Sequence, residues 1–293
     1  MNRGNFFRRI LLTLFTVSIM LFVVSCSNNS SVNDSSSNID KKSNINLDNQ
    51  KKAEEHFNLG KKYNESFDFD LAIQEFDKSI ELNHNYADAY YNRGLSYNEI
   101  WQCELAIKDF DKALELNPNL SDLYDIHYDL GYAYDELGQY EQAIKEYDKS
   151  IQFNPNDGIT YYNRGNSYGN LGQYEQALQD YNKTIALNPD FDYAYNNRGI
   201  IYDKLEQNKL AIQDFNKAIE LTPDFEEAYT NRGASYASVR NFKKAIEDTT
   251  KAIELNPNYA KAYFIRGICY EELGEEARAQ AEFAKAKELG YKD

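Results

Sequence analysis

From residue 53 onward the chain repeats itself. Glycines recur at 60, 94, 131, 165, 199, 233 and 267, spaced by 34 residues at every step but one, which is 37. With that glycine as position 8 of a unit, all seven units have Tyr at position 11 (Tyr63, Tyr97, Tyr134, Tyr168, Tyr202, Tyr236, Tyr270) and Ala at position 20 (Ala72, Ala106, Ala143, Ala177, Ala211, Ala245, Ala279). All five prolines stand at position 32. A fixed period of this length describes a row of like modules, each too small to bury a core alone and stable only when stacked on its neighbours.

Within a unit the apolar rhythm is helical. In EQAIKEYDKSI (141–151) the apolar residues fall at 143, 144, 147 and 151, the i, i+3, i+4 spacing of one helix face. Asn-Pro at positions 31 and 32 stops this second helix, because proline disfavours α geometry in the residue before it. Gly138, Gly172 and Gly274 at position 15 are suited to cap the first helix. Four glycine–alanine pairs, Gly94 with Ala106, Gly131 with Ala143, Gly165 with Ala177 and Gly199 with Ala211, let the two helices approach closely. Tyr at 11 and an aromatic at 24 (Phe76, Phe110, Tyr147, Tyr181, Phe215, Phe283) fill the space around that contact. Position 27 is small throughout, leaving room for the next unit.

These residues and their spacing resemble the tetratricopeptide repeat, a helix–turn–helix unit. The resemblance implies an all-α fold, a right-handed α-solenoid of seven repeats at 53–86, 87–120, 124–157, 158–191, 192–225, 226–259 and 260–293. His84 and Tyr291 replace the expected Pro in the end units. Thr249 replaces the aromatic at position 24, so the sixth repeat should pack less well. Ser121, Asp122 and Leu123 are inserted between the second and third units, where a change in superhelix pitch or an extra helical turn is expected.

The motif YNRG occupies positions 5–8. Arg stands at position 7 in five units (Arg93, Arg164, Arg198, Arg232, Arg266), each with an acid at position 23 (Asp109, Asp180, Asp214, Asp248, Glu282). In an antiparallel hairpin these positions share a height, so an Arg–carboxylate pair should tie the two helices together. Were it solvent-screened, it would contribute only ~0–1 kcal/mol. The other two units have Leu59 and Leu130 opposite Glu75 and Glu146. Reading YNRG as a nucleic-acid contact conflicts with charge: outside the first 25 residues, 29 basic residues face 47 acids, and phosphate backbones demand the reverse.

Reactive chemistry is sparse. His56 and His127 occupy position 4, where the other units have Tyr, and read as packing residues. They lie in non-adjacent units, which argues against a metal site. Cys103 and Cys269 are too far apart in the repeat for a disulfide framework. No phosphate loop, Ser/His/Asp set or Cys/His pair is present. No enzymatic activity, cofactor or metal is expected.

The N-terminus reads as an address. MNRGNFFRR is basic, and the uncharged apolar run 10–24 is shorter than the ~20 residues of a membrane span, as befits the core of an export signal. VVSC at 23–26 resembles the lipobox of bacterial lipoproteins. It implies a signal at 1–25, lipidation of Cys26 and an envelope location, at the outer membrane where there are two. Two acyl chains suffice for stable anchoring. Residues 26–52, rich in Ser and Asn, read as a disordered tether, their 24 residues from 27 to 50 spanning about 27 Å.

Tetratricopeptide repeats bind through a concave groove lined by positions 2, 5, 9, 12 and 13 of the first helix. Carried onto this chain, the candidate groove residues are Phe57, Asp88, Tyr91, Glu99, Asp125, Tyr128, Asp135 and Tyr162. Such a groove, aromatic and acidic, suits a peptide or helix carrying Lys/Arg and apolar anchors. Position 5 has no Lys, so the carboxylate clamp of that family does not carry over. The leading expectation is a lipid-anchored protein-interaction scaffold. A self-associating structural component of the envelope is the alternative, and an unrecognised enzyme the last.

Overall fold

A computed structural model describes residues 36–118 and 123–292, with side chains from 47 onward apart from that of Leu123. Residues 1–35, with the expected signal sequence and Cys26, lie outside the described residues, as do the inserted Ser121 and Asp122. The described residues form fourteen helices and no strand. They pair into hairpins: α1 (Ser36–Glu65) with α2 (Phe69–Leu82), α3 (Ala87–Glu99) with α4 (Cys103–Leu116), α5 (Leu123–Glu136) with α6 (Tyr140–Phe153), and α7 (Gly158–Asn170) with α8 (Tyr174–Leu187). The remaining three are α9 (Asp192–Lys204) with α10 (Asn208–Leu221), α11 (Glu226–Ser238) with α12 (Phe242–Leu255), and α13 (Ala260–Glu272) with α14 (Glu276–Glu288). The chain divides into two compact units between 120 and 121, the first holding repeats 1 and 2 and the second repeats 3–7.

One boundary differs from expectation. α1 starts at Ser36, so 36–52, read from composition as part of a disordered tether, is helical. Composition measures what a segment can bury alone, whereas here a helix already fixed by packing at Ala53 is extended outward, and propagation is far cheaper than nucleation. An exposed Lys52–Asp48 pair at 2.7 Å, one turn apart, accompanies the extension.

Both helix ends follow the sequence. In all seven repeats position 15 is left-handed, with Gly138, Gly172, Gly274, Phe67, Trp101, Glu206 and Arg240 at φ from 59° to 75°. The next residue donates its N–H to the carbonyl of the position-11 tyrosine, as Gln139 does to Tyr134 at 2.9 Å, which closes the helix with a Schellman motif. Position 31 leaves helical geometry, φ −134° at Asn154 before Pro155, in keeping with the bias a proline imposes on the residue before it; Asn83 before His84 does the same at φ −142°.

The position-8 glycine proves to be a seat for the position-24 ring. A Cβ on Gly131 would lie 2.5 Å from Tyr147 Cε1, one on Gly94 2.6 Å from Phe110, and one on Gly199 2.7 Å from Phe215. Gly165 meets Tyr181 at 3.0 Å. The position-20 alanines are fully buried in repeats 1–6. In repeat 6, where Thr249 replaces the ring, a Cβ on Gly233 would sit 3.3 Å from the backbone oxygen of Ala245. The Thr249 methyl, 3.0 Å from the same point, stands where the ring would be. Position 27 also does more than stay small: Ser79, Ser150 and Thr184 donate to the position-1 carbonyls of Ala53, Tyr124 and Gly158 in their own repeats at 2.7, 3.0 and 3.0 Å.

The Arg pairs form in all five repeats. Arg93, Arg164, Arg198 and Arg232 each grip both oxygens of their position-23 Asp at 2.6–2.8 Å. Arg266 reaches Glu282 through one nitrogen at 2.8 Å. The third arm, which helix height alone does not disclose, reaches back to position 25 of the preceding repeat: Arg93 to Asp77, Arg164 to Asp148, Arg198 to Asn182, Arg232 to Asn216 and Arg266 to Thr250. Position-4 and position-11 tyrosines flank the guanidinium, Tyr161 at 5.4 Å and Tyr168 at 5.8 Å for Arg164. The Asp members are buried, so the screened-pair regime does not apply, and breaking one leaves a charge stranded.

Where position 7 is Leu, the histidines take over, correcting their reading as packing residues. His56 meets Glu75 at 2.5 Å and His127 meets Glu146 at 2.7 Å, with Lys78 and Lys149 on the other carboxylate oxygens. Burial raises the proton affinity of Glu146, but hydrogen bonds from His127 and Lys149 outweigh it and hold the carboxyl below its ordinary range. Each compact unit thus opens with a His–Glu–Lys repeat and continues with Arg repeats.

Candidate protein-interaction face

In the first unit the expected face is assembled. Phe57 packs on Phe76 and on Tyr86, with ring centroids 6.0 and 4.9 Å away, and Tyr91 on Phe110 at 5.8 Å. Both stay half-buried. Glu54 and Asp88 are exposed at position 2 of successive repeats, within electrostatic reach of Tyr86. Burial first, then these two carboxylates, push its hydroxyl up to about 12. Glu99 is half-buried and Glu65 exposed on the same helices. The result is an aromatic floor with negative walls.

In the second unit two expected groove residues turn inward, and a third is tied into the fold. Tyr128 is 2% and Tyr162 6% exposed. Each packs against its position-24 ring at 6.0 Å, and each hydroxyl accepts from an asparagine at position 6 of the next repeat, Asn163 and Asn197, both at 3.0 Å. The position-5 side chain lies between the helices, and that asparagine lids it. Asp135 accepts from Ser167 at 2.7 Å and from the Tyr147 hydroxyl at 2.9 Å. Burial pushes its carboxyl up to about 6 despite both bonds. The two tyrosines are core residues, and Asp135 is half-buried with both of these bonds committed within the fold. Asp125 remains half-buried.

Further along the second unit the face carries a hydrogen-bonded relay. Lys261 donates to Asn231 at 2.8 Å, and Asn231 donates to Asn196 at 3.1 Å. Partial desolvation lowers the proton affinity of the Lys261 ammonium, against the pull of Glu227, although the residue as a whole stays exposed. Ser at position 10 bonds the Asx at position 12 of the preceding repeat three times, Ser96 to Asn64, Ser167 to Asp135 and Ser235 to Asp203, at 2.8, 2.7 and 2.5 Å. This stitch was not anticipated, although its signal is present: Ser at 10 occurs in repeats 2, 4 and 6, each following Asn or Asp at 12. Among the described residues no group of three or more His, Cys, Asp or Glu is placed to hold a metal ion, and no helix is long and apolar enough to cross a membrane.

Stacked helical hairpins with a ring seated on glycine define a helical-repeat protein, the class that carries partners on its surface. Tetratricopeptide-repeat profiles match residues 159–191, 193–225 and 226–259, 60–100 and 131–172, 110–145 and 249–281 and 87–120. The chain belongs to the tetratricopeptide-repeat family. No curated protein sequence matches it. Among solved structures it is similar to YrrB, described as a TPR protein with an unusual peptide-binding site (27% identity, 64% of this chain and 95% of that one, TM-score 0.53). It is also similar to MamA from Desulfovibrio magneticus RS-1 (25%, 57% and 95%, TM-score 0.53). A tetratricopeptide repeat protein from Parabacteroides merdae shares the fold over more of the chain (22%, 83% and 95%, TM-score 0.67).

Proposed function

We propose that the protein is a lipid-anchored scaffold of the bacterial cell envelope that grips a peptide or helix with Lys/Arg side chains and apolar anchors. The observation that carries the reading is the pair of exposed carboxylates, Glu54 and Asp88, on the two helices that present the half-buried Phe57 and Tyr91 rings. An aromatic floor takes an apolar side chain, and two carboxylates at its rim take a cation and steer its approach. The peptide-binding site of YrrB supports the same use of the fold. Anchoring rests on VVSC at 23–26.

Two measurements test this. Radiolabelled palmitate should enter the full-length chain in a bacterial host and fail to enter Cys26→Ala. Glu54→Lys with Asp88→Lys should abolish binding of a partner cross-linked through a photoreactive residue at position 91, while the melting temperature holds. Retained binding would remove the first unit's face from consideration.

A further inference from the structure

A second surface of the first unit is built at a backbone cost. Position 15 needs a left-handed backbone in every repeat, and three repeats place glycine there. Repeats 1 and 2 place Phe67 at φ 63° and Trp101, the only tryptophan of the chain, at φ 64°. A bulky side chain in that region is disfavoured, and neither recovers the cost by burial: Phe67 is 67% and Trp101 61% exposed. Position 19 repeats the pattern, with Leu71 and Leu105 exposed. These are equivalent positions in two stacked hairpins, so the four side chains share one edge at the turns, apart from the inner face of α1 and α3. The edge is held in register by Ser96, which donates to Asn64 beside the first turn at 2.8 Å. Glu206 and Arg240 hold the same left-handed backbone in repeats 5 and 6, so what sets repeats 1 and 2 apart is a large aromatic left exposed there.

The charge around this edge selects its occupant. Glu65, Asp68, Asp70 and Glu104 are exposed beside it, and the exposed Lys62 and Lys108 at its margins leave the acids in excess. A second copy would set these acids against themselves, and an anionic bilayer would meet the same repulsion. We propose that Phe67, Leu71, Trp101 and Leu105 form a docking edge, separate from the inner face, for a partner segment that presents apolar side chains flanked by Lys or Arg. Aromatic anchors make the contact and the acidic rim sets the choice of partner.

Trp101 reports on its own burial. The full-length chain in phosphatidylcholine nanodiscs is titrated with a tryptophan-free Leu/Lys helical peptide and with its Leu/Glu counterpart. The Leu/Lys peptide should shift Trp101 emission to the blue saturably, and the Leu/Glu peptide should not. Phe67→Gly with Leu71→Gln should weaken the titration about tenfold or more. The glycine relieves the backbone, so the melting temperature should hold or rise, which separates lost docking from lost folding. Glu54→Lys on the inner face should change the affinity less than about threefold, so that this edge and the inner face fail independently. The proposal is overturned by no shift with the Leu/Lys peptide, by an equal shift with the Leu/Glu peptide, or by a loss below tenfold in the double variant. It is equally overturned if emission is already blue in nanodiscs alone, which would make the bilayer the occupant, or if it moves with protein concentration, which would make it a second copy.

Discussion

Arg164 holds Asp180 with two parallel bonds, Nε to Oδ2 at 2.8 Å and Nη2 to Oδ1 at 2.6 Å. Although burial opposes a guanidinium's charge, Asp180 and Asp148 outweigh it and keep Arg164 well above its ordinary range. Burial pushes the Asp180 carboxyl above its ordinary 3.8 even with Arg164 on both oxygens, so the arginine stays charged throughout and the aspartate is the member that acid can discharge. Arg164→Leu should cost about 3 kcal/mol, the penalty for stranding a buried carboxylate, measured as a shift of the urea midpoint at constant slope. The chain contains its own repair. Tyr161→His and Asp180→Glu added to Arg164→Leu recreate the His127–Glu146–Lys149 arrangement, because Lys183 already stands at position 26. The triple variant should regain more than half of the loss, and failure to do so would show that the His set depends on being first in its unit.

Tyr147 leaves no room above Gly131. Its ring carbon lies 2.5 Å from where a Cβ would stand, and the ring is fully buried. Gly131→Ala should destabilise by about 2 kcal/mol after its gain in helix propensity. Gly233→Ala meets the Thr249 methyl at 3.0 Å and the Ala245 oxygen at 3.3 Å, so the strain and the propensity gain should nearly cancel. Paired thermal melts would compare the two, and equal losses would refute the ring-seat account.

Asp135 makes stability depend on pH in an unusual direction for a carboxylate. Its folded pKa of about 6 lies above the ordinary 3.8, so between those values the folded protein holds more protons than the unfolded one. Its contribution is fully present below 3.8 and lost as pH rises through 6. Asp135→Asn should stabilise the protein at pH 7 by about 1–2 kcal/mol, since an amide can still accept from Ser167, as Asn64 does from Ser96. It should also flatten the melting temperature between pH 4 and 6. A variant less stable at pH 7 would mean that the Tyr147 bond requires the carboxylate.

The hairpins were legible because their signals are local or strictly periodic. Gly138 announces a left-handed cap, Asn154-Pro155 a helix stop, and Arg164 with Asp180 a shared height. What escaped was the relation between repeats. Arg164 reaching Asp148 and Asn197 covering Tyr162 cross a repeat boundary, and positions numbered within one unit do not show that two units share a bond. The groove was misread for the same reason: Tyr128 and Tyr162 look outward in an isolated hairpin and become core once the next hairpin arrives. The exchange of Tyr–Arg for His–Leu at positions 4 and 7 was visible as covariation across the seven copies, but His127 read singly looked like a substitute for Tyr.

That inward turn changes what groove mutagenesis can report. Tyr162 packs between Tyr181 and Phe191, at 6.0 and 4.9 Å, and its hydroxyl accepts from Asn197. Tyr162→Ala should cost about 3–5 kcal/mol and lower the melting temperature of the second unit, so any partner lost would be lost with the fold. Tyr162→Phe keeps the packing, and Asn197 retains its bond to Asn166 at 2.9 Å, so its cost should stay near 1 kcal/mol. Glu54→Lys, at an exposed site of the first unit, should leave stability within about 0.5 kcal/mol of the parent and act on binding alone. Calorimetry of the three variants beside a binding measurement separates the roles. If Tyr162→Ala melts like the parent and binding still falls, Tyr162 is a contact residue after all and the inner face extends into the second unit.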